Sequence, residues 1–209
     1  MTARALFNRY FDECPLIAII RGVTPAEVEG IGQALFDGGI RIIEVPLNSP
    51  DPFSSIGKLA AQMGDKALIG AGTVLKPSQV EEVRAAGGRL IVSPNANVDV
   101  IRAAVATRLV SCPGYFTPTE AFATIEAGAT ALKFFPAEAG SPAVIKAQRS
   151  VFPNDLPILA VGGVTADAVG SWLDAGANGF GLGSALYKPG QSAAETLDKA
   201  RAFVAALKR

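Results

Sequence analysis

The chain has 209 residues, of which 49% are hydrophobic and 18% are charged, and its 19 basic residues balance its 19 acidic residues. Because the sequence has neither a basic stripe nor a polybasic patch, we expect neither a nucleic-acid partner nor a membrane partner. The sequence contains no histidine, which excludes a Ser-His-Asp triad, a histidine general base and a histidine-ligated zinc site.

The N-terminal segment, residues 1–14, is polar and is predicted to form a helix over residues 3–12. It contains no long apolar stretch, so it has the pattern of neither a secretory signal nor a membrane span. We therefore expect a cytoplasmic protein. The charged residues of this segment are Arg4, Arg9, Asp12 and Glu13.

Eight short apolar runs follow, each bounded by a turn that contains glycine, proline or asparagine. Because the runs are apolar on both faces, they indicate parallel strands that are buried from both sides. The predicted strands are Leu16–Ile20, Ile42–Pro46, Leu68–Gly72, Leu90–Ser93, Val110–Pro113, Ala131–Phe135, Ile158–Val161 and Phe180–Gly183.

Amphipathic stretches between the strands predict helices. Three of them begin at a proline, because the N–H that proline lacks would have no partner within the helix at its first position. Thr24 and Thr117 are predicted N-caps. Four segments that end in glycine are predicted to end helices, with the glycine in the left-handed conformation. These segments are residues 37–39, 86–88, 126–128 and 174–176. The predicted helices include Pro25–Asp37, Pro77–Ala86, Val98–Thr107, Pro118–Ala127, Ala166–Ala175 and Ser192–Leu207.

The regular alternation of strands and helices, at roughly 20 to 25 residues per strand–helix unit, predicts one domain over residues 1–209. The sequence has no Gly-x-Gly-x-x-Gly fingerprint, which favours a closed barrel over a doubly wound sheet. We therefore predict an α/β protein, a (β/α)₈ TIM barrel whose N-terminal helix caps the barrel floor. Cys14 and Cys112 lack CxxC spacing and are predicted to be buried free thiols. The high apolar content favours a homo-oligomer.

Lys133 is the most informative residue of the sequence, because it lies within the apolar run Ala131–Pro136. Burial disfavours the charged ammonium and lowers the pKa of a lysine, which leaves a nucleophilic amine. Such an amine attacks carbonyl groups and forms Schiff bases. The alternative is a lysine at a strand end that points into solvent.

The carboxyl ends of the strands, where TIM-barrel active sites lie, carry further polar residues. Glu44 stands in an apolar strand, where a raised pKa would suit proton transfer near neutral pH. A structural salt bridge between Glu44 and Arg21 is the alternative. Arg21 could instead clamp a carboxylate or a phosphate. Thr73 lies at the end of the third strand.

Small residues follow the last two strands, at Gly162 and Gly163 and again at Gly183 and Ser184. Loops at these positions commonly bind phosphate in TIM barrels, because bare backbone amides face the anion. The alternative is a tight turn without a ligand. Together with Lys133, these glycines indicate a sugar-phosphate enzyme that works through an imine.

Four motifs resemble those of the class I 2-keto-3-deoxy-6-phosphosugar aldolases: Glu44–Pro50, Ile69–Leu75, Leu132–Pro136 and Val161–Thr165. They occur in the family's order, and the resemblance extends from about Pro15 to Tyr187. It implies the cleavage of a phosphorylated keto-acid sugar to pyruvate and D-glyceraldehyde 3-phosphate.

The resemblance also implies residue roles, with Lys133 as the Schiff-base lysine and Glu44 as proton donor and acceptor. It implies a homotrimer that needs neither a metal nor a cofactor. The implied substrate contacts are Arg21, Thr73, Lys133 and the phosphate-binding Gly162, Gly163, Gly183 and Ser184.

Two positions favour the galactonate-acting branch of this family over the gluconate-acting branch. The gluconate branch typically has an arginine near the position of Asn48 and a threonine at the position of Val161. Besides the gluconate branch, two alternatives remain open. One is a phosphosugar epimerase or isomerase, and the other is a non-catalytic protein that binds phosphate ligands.

Overall fold

The computed structural model describes residues 1–208, and its strands form one sheet in which every neighbouring pair is parallel. Within this range the strands are β1 (Leu16–Ile19), β2 (Ile42–Pro46), β3 (Leu68–Gly72), β4 (Leu90–Val92), β5 (Val110–Cys112), β6 (Gly114–Tyr115), β7 (Leu132–Phe134), β8 (Ile158–Val161) and β9 (Gly179–Leu182).

The order of the strands in the sheet is β5-β4-β3-β2-β1-β9-β8-β7-β6. The two outermost strands, β5 and β6, follow each other in the chain and are separated only by Pro113. The backbone N–H of Lys133 donates to the carbonyl oxygen of Pro113 at 2.9 Å, and that of Thr130 donates to Ser111 at 2.8 Å. The sheet therefore closes on itself, and the predicted TIM-barrel class is confirmed.

The fifth barrel strand differs from the prediction, because the expected strand Val110–Pro113 ends at Cys112 as β5 and a second segment, β6, follows Pro113. Proline has no N–H to donate and interrupts the ladder of hydrogen bonds at residue 113. One half then pairs with β4 and the other half with β7. Eight predicted strands thus become nine strand segments around an eight-position barrel.

Helices on the outside of the barrel connect the strands. In the part of the chain that the structure describes, none of them is long and apolar enough to cross a membrane. The helices are α1 (Ala3–Phe11), α2 (Val28–Asp37), α3 (Pro52–Met63), α4 (Pro77–Ala85), α5 (Val98–Ala106), α6 (Pro118–Glu126), α7 (Pro142–Arg149), α8 (Val169–Asp174) and α9 (Ala193–Ala206), with one turn of 3₁₀ helix at Ala137–Ala139.

The predicted helix starts are correct at one N-cap and wrong at the other. Thr117 caps α6, since its hydroxyl accepts from the N–H of Glu120 at 3.4 Å and the Glu120 carboxylate accepts from the N–H of Thr117 at 2.8 Å. Helix α2 begins at Val28 and not at Pro25, so Thr24 does not cap it. The Glu27 carboxylate accepts from the N–H of Thr24 at 3.0 Å, which holds residues 24–27 in a turn.

The predicted left-handed glycines are confirmed at four helix ends. Their φ angles of 90° to 101° are accessible to glycine at little cost and return the chain to the next strand. These residues are Gly39, Gly87, Gly128 and Gly176.

The core has two layers, because successive side chains of a strand point to opposite faces. Ile43 and Val45 of β2 pack under the helices, whereas Ile42 belongs to the barrel interior. By the same alternation Glu44 points into the barrel. Cys14 and Cys112 are both buried and free, as predicted.

Helix α1 fills the amino-terminal end of the barrel. Phe7 and Tyr10 are almost completely buried and pack with the inward side chains of the strands. A Cβ atom at Gly179 would lie 2.7 Å from the ring of Phe11, so glycine at that position makes room for the aromatic ring. Burying each of these aromatic side chains stabilises the fold by roughly 1.5–3 kcal/mol.

Candidate active site

A cleft of about 660 Å³ lies at the carboxyl ends of the strands. The loops after β1, β3, β8 and β9 line it, together with β7 and the residues that follow it. Seven of the eight predicted site residues line this cleft: Arg21, Thr73, Lys133, Gly162, Gly163, Gly183 and Ser184. The eighth, Glu44, is buried behind the lining residues.

Lys133 lies in the middle of β7 with only 6% of its surface exposed. The ammonium nitrogen is 4.6 Å from the centre of the Phe135 ring, and within residues 1–208 it forms no ion pair. Burial lowers the pKa of Lys133, the charge of Glu44 opposes this effect, and the charge of Arg21 adds to it. Lys133 therefore does not point into solvent, and its environment favours the neutral, nucleophilic amine.

Glu44 is 1% exposed, and its Oε2 atom has no hydrogen-bond partner in the described part of the chain, residues 1–208. Burial raises the pKa of this carboxyl from its ordinary value of 4.5 to about 7, although the charges of Lys133 and Arg21 both act in the opposite direction. A carboxyl with a pKa near neutrality both donates and accepts protons at physiological pH.

Gly72 shapes the space that the Glu44 carboxyl occupies. A Cβ atom added at Gly72 would lie 1.9 Å from Oε2 and 2.2 Å from the carboxyl carbon. Since atoms that are not bonded to each other do not approach so closely, any residue other than glycine would displace the carboxyl. Gly72 was not predicted as a site residue, because the contact arises only when β2 and β3 pair in register.

Arg21 does not form the salt bridge with Glu44 that the sequence left open. Its guanidinium donates to Asn48 Oδ1 and, at 3.4 Å, to Thr73 Oγ1. Thr73 has a φ of 56°, which is unusual for a β-branched residue and costs on the order of 1–3 kcal/mol. Strained backbone of this kind is common where a side chain must be aimed at a ligand.

The loops after β8 and β9 form the other end of the cleft. Gly162 and Gly163 adopt left-handed φ angles of 105° and 69°, which favour glycine at both positions. After β9, the N–H groups of Leu186 and Tyr187 donate to the carbonyl oxygen of Gly183 at 2.8 and 3.0 Å and form a single turn. Ser184 is exposed at the start of this turn.

Two charged residues that the sequence analysis did not select also line the cleft, Glu138 and Lys188. Glu138 belongs to the 3₁₀ turn that follows β7, and Lys188 comes four residues after Ser184. Both lie in loops, where no hydrophobic pattern indicates which side chains turn inward. For Lys188 the available signal was its closeness in sequence to Ser184.

Among residues 1–208, no group of three or more His, Cys, Asp or Glu side chains is arranged as a metal site. The polar side chains in and next to the cleft supply an amine, a carboxyl, a guanidinium and a hydroxyl. This combination suits covalent imine chemistry with proton transfer.

Comparisons with known proteins agree with this geometry. A family profile described as KDPG and KHG aldolase matches residues 8–202. A 2-dehydro-3-deoxy-6-phosphogalactonate aldolase of Escherichia coli is 52% identical over 192 residues, which cover 92% of this chain and 94% of that protein.

Two solved structures share the fold. A native KDPGal structure matches with a TM-score of 0.92 and 50% identity, over 94% of this chain and 95% of that chain. A KDPG aldolase of Legionella pneumophila, captured with pyruvate as a covalent carbinolamine, matches with a TM-score of 0.81 and 27% identity, over 99% of this chain and 96% of that one. The resemblance inferred from the sequence motifs is thereby confirmed, and the chain belongs to the KDPG and KHG aldolase family.

Proposed function

We propose that this protein is a Schiff-base aldolase that cleaves 2-dehydro-3-deoxy-6-phosphogalactonate to pyruvate and D-glyceraldehyde 3-phosphate. The observation that carries the proposal is a buried lysine, Lys133, that forms no ion pair within residues 1–208 and lies in the same barrel interior as Glu44, a buried acid whose pKa is raised. The name of the Escherichia coli relative supports the choice of substrate.

The reaction begins when the neutral amine of Lys133 attacks the C2 ketone of the substrate. Glu44 protonates the departing hydroxyl of the carbinolamine, water leaves, and a protonated imine forms between Lys133 and C2. The positive nitrogen of the imine then serves as an acceptor for electrons from the neighbouring carbon atoms.

Bond cleavage follows when a base removes the proton of the C4 hydroxyl. The C4 oxygen forms a carbonyl, the C3–C4 bond breaks, and its electron pair moves to C3 and on to the imine nitrogen. D-glyceraldehyde 3-phosphate leaves and an enamine remains on Lys133. Protonation of C3 and addition of water to the resulting imine release pyruvate. We assign Glu44 both to removal of the C4 hydroxyl proton and to protonation of C3.

Substrate alignment requires contacts at both ends of the molecule. Arg21 and Thr73 are assigned to the carboxylate end, where a guanidinium and a hydroxyl suit a carboxylate. The backbone of Gly162, Gly163 and Gly183 and the hydroxyl of Ser184 are assigned to the phosphate, as in other barrels with phosphate loops at this position. Fixing both ends aligns the C3–C4 bond with the imine.

The imine is tested by incubating the protein with pyruvate and sodium borohydride and measuring the intact mass. We expect the mass of one reduced pyruvate adduct, which peptide mapping should place on Lys133. Folded protein that gains no adduct, beside a known Schiff-base aldolase that does, would refute the proposal and favour an epimerase that works by proton transfer alone.

The choice between the two sugar acids is tested by paired assays on the C4 epimers. We expect the higher kcat/KM with the galactonate-derived substrate, since Val161 lines the cleft and Asn48 holds Arg21. A higher value with the gluconate-derived substrate would assign the protein to the other branch of the family.

Replacing Gly72 with alanine should lower kcat by roughly 10²-fold or more, because displacement of a catalytic group by about 1 Å has effects of this size. The added methyl group would overlap the Glu44 carboxyl. Gly30→Ala is the matched control, since a Cβ at Gly30 in α2 meets no atom within 4 Å. Steady-state kinetics on both variants, with thermal unfolding as a check of folding, measure the effect. Normal kcat in a folded Gly72→Ala protein would contradict the role of the contact.

We also propose that the protein acts as a homotrimer in the cytoplasm. Exposed apolar side chains on α6 and beside α7 support self-association, and Phe122 (41% exposed) and Val151 (59% exposed) are the main ones. Light scattering of the purified protein should give three times the mass of one chain.

A further inference from the structure

Lys188 is a cation at the end of the cleft that we assign to the phosphate, and its side chain has no partner among residues 1–208. It lines the cleft together with Gly183, Ser184 and the two glycines after β8. Over the described residues 1–208, its ammonium forms neither an ion pair nor a side-chain hydrogen bond. A lysine that is unpaired and faces a binding cleft is available to an anionic ligand.

The backbone on both sides of Lys188 is fixed. Tyr187 is buried, and its hydroxyl donates to the Glu27 carboxylate at 2.8 Å, which attaches the turn to the start of α2. Pro189 lies against Gly22, where a Cβ atom would be 2.6 Å from the proline ring. With both neighbours held, the lysine enters the cleft from a defined position and loses little backbone freedom when it binds a ligand.

Glu138 lies close to the glycines of the loop after β8. A Cβ atom at Gly163 would lie 2.5 Å from an Oε atom of Glu138, so this carboxylate approaches the loop closely. A phosphate dianion next to a carboxylate is repelled, and neutral backbone amides offset that repulsion only in part. A positive side chain that reaches the same end of the cleft offsets it further.

We propose that Lys188 binds the phosphate group of the substrate and makes the enzyme prefer phosphorylated aldehydes over unphosphorylated ones. The proposal rests on the aldolase function proposed above and adds a phosphate contact to it. Charge-assisted hydrogen bonds are the strong contacts to a phosphate, and this one would come from a side chain outside the four residues assigned from the sequence.

The test measures the addition of pyruvate to D-glyceraldehyde 3-phosphate and to D-glyceraldehyde by the wild type, Lys188→Met, Lys188→Arg and Lys146→Met. Lys146 is an exposed lysine of α7 outside the cleft, so its variant removes the same charge elsewhere. Lys188→Met should lower kcat/KM for the phosphorylated aldehyde ~10- to 100-fold, mainly through KM, as expected for one hydrogen bond to a charged group. It should change kcat/KM for D-glyceraldehyde by no more than about twofold.

Lys188→Arg should recover most of the loss because it keeps the charge, and Lys146→Met should behave as the wild type. Equal losses with both aldehydes, or no loss with either, would overturn the role of Lys188. Borohydride trapping of pyruvate separates this failure from that of the proposed function. If the wild type forms no adduct, the aldolase function fails. If it forms one and Lys188→Met loses activity equally with both aldehydes or with neither, only the phosphate contact fails.

Discussion

Replacing Lys133 with methionine should lower kcat by at least ~10⁴-fold, the scale expected when a covalent nucleophile is lost. Methionine fills a similar volume, but it has no amine to form the imine, so pyruvate should no longer be trapped by borohydride. Steady-state kinetics and intact mass measure the two effects. Lys146→Met, which removes an exposed lysine, should retain full activity.

The same variant should not lose stability. Lys133 is buried and lacks an ion pair among the described residues, so methionine removes a costly polar group from an apolar setting. A Tm equal to or above that of the wild type would separate loss of chemistry from loss of fold. Turnover by a Lys133→Met preparation free of wild-type enzyme would refute the imine mechanism.

Replacing Glu44 with glutamine should slow turnover by roughly 10²- to 10⁴-fold, the contribution of a positioned acid or base. Glutamine has nearly the same shape, so the contact with Gly72 is kept while the titrating group is lost. The step near pH 7 that the Glu44 carboxyl gives to the pH dependence of kcat/KM should disappear. An unchanged rate and pH profile would assign Glu44 to structure.

Stability should respond to pH in a defined direction. Burial raises the pKa of Glu44 from 4.5 to about 7, so between these values the folded protein keeps a proton that the unfolded chain has released. The free energy of unfolding of the wild type therefore falls as the pH rises through this range, and that of Glu44→Gln lacks this contribution. The Tm of the variant relative to the wild type should be higher at about pH 8 than at about pH 5. A constant difference would mean that the carboxyl titrates normally.

The barrel and its two central ionisable residues could be predicted because both depend on local pattern. Lys133 and Glu44 are charged residues within apolar strands, and a barrel directs one face of each strand inward. The confirmed N-cap at Thr117 rests on a capping box four residues long. The interruption of the fifth strand at Pro113 could also have been predicted, since proline cannot donate within a sheet.

Other features depend on contacts between distant segments and have no local signal. Thr24 does not cap α2, which begins at Val28, and the Glu27 carboxylate that accepts from Thr24 also accepts from Tyr187, far along the chain. The contact of Gly72 with Glu44 requires the register in which β2 and β3 pair. Lys188 and Glu138 reach the cleft only because of how their loops fold.

Helix α1, which fills the floor of the barrel with Phe7 and Tyr10, has a consequence for the order of events in catalysis. With this end of the barrel filled by α1 in the part of the chain that the structure describes, reactants and products pass through the cleft at the opposite end. In the proposed mechanism the pyruvate unit is attached to Lys133 inside the barrel, and the phosphate end of the substrate lies toward the loops. The aldehyde must therefore depart before pyruvate, and in the synthetic direction pyruvate must enter before the aldehyde.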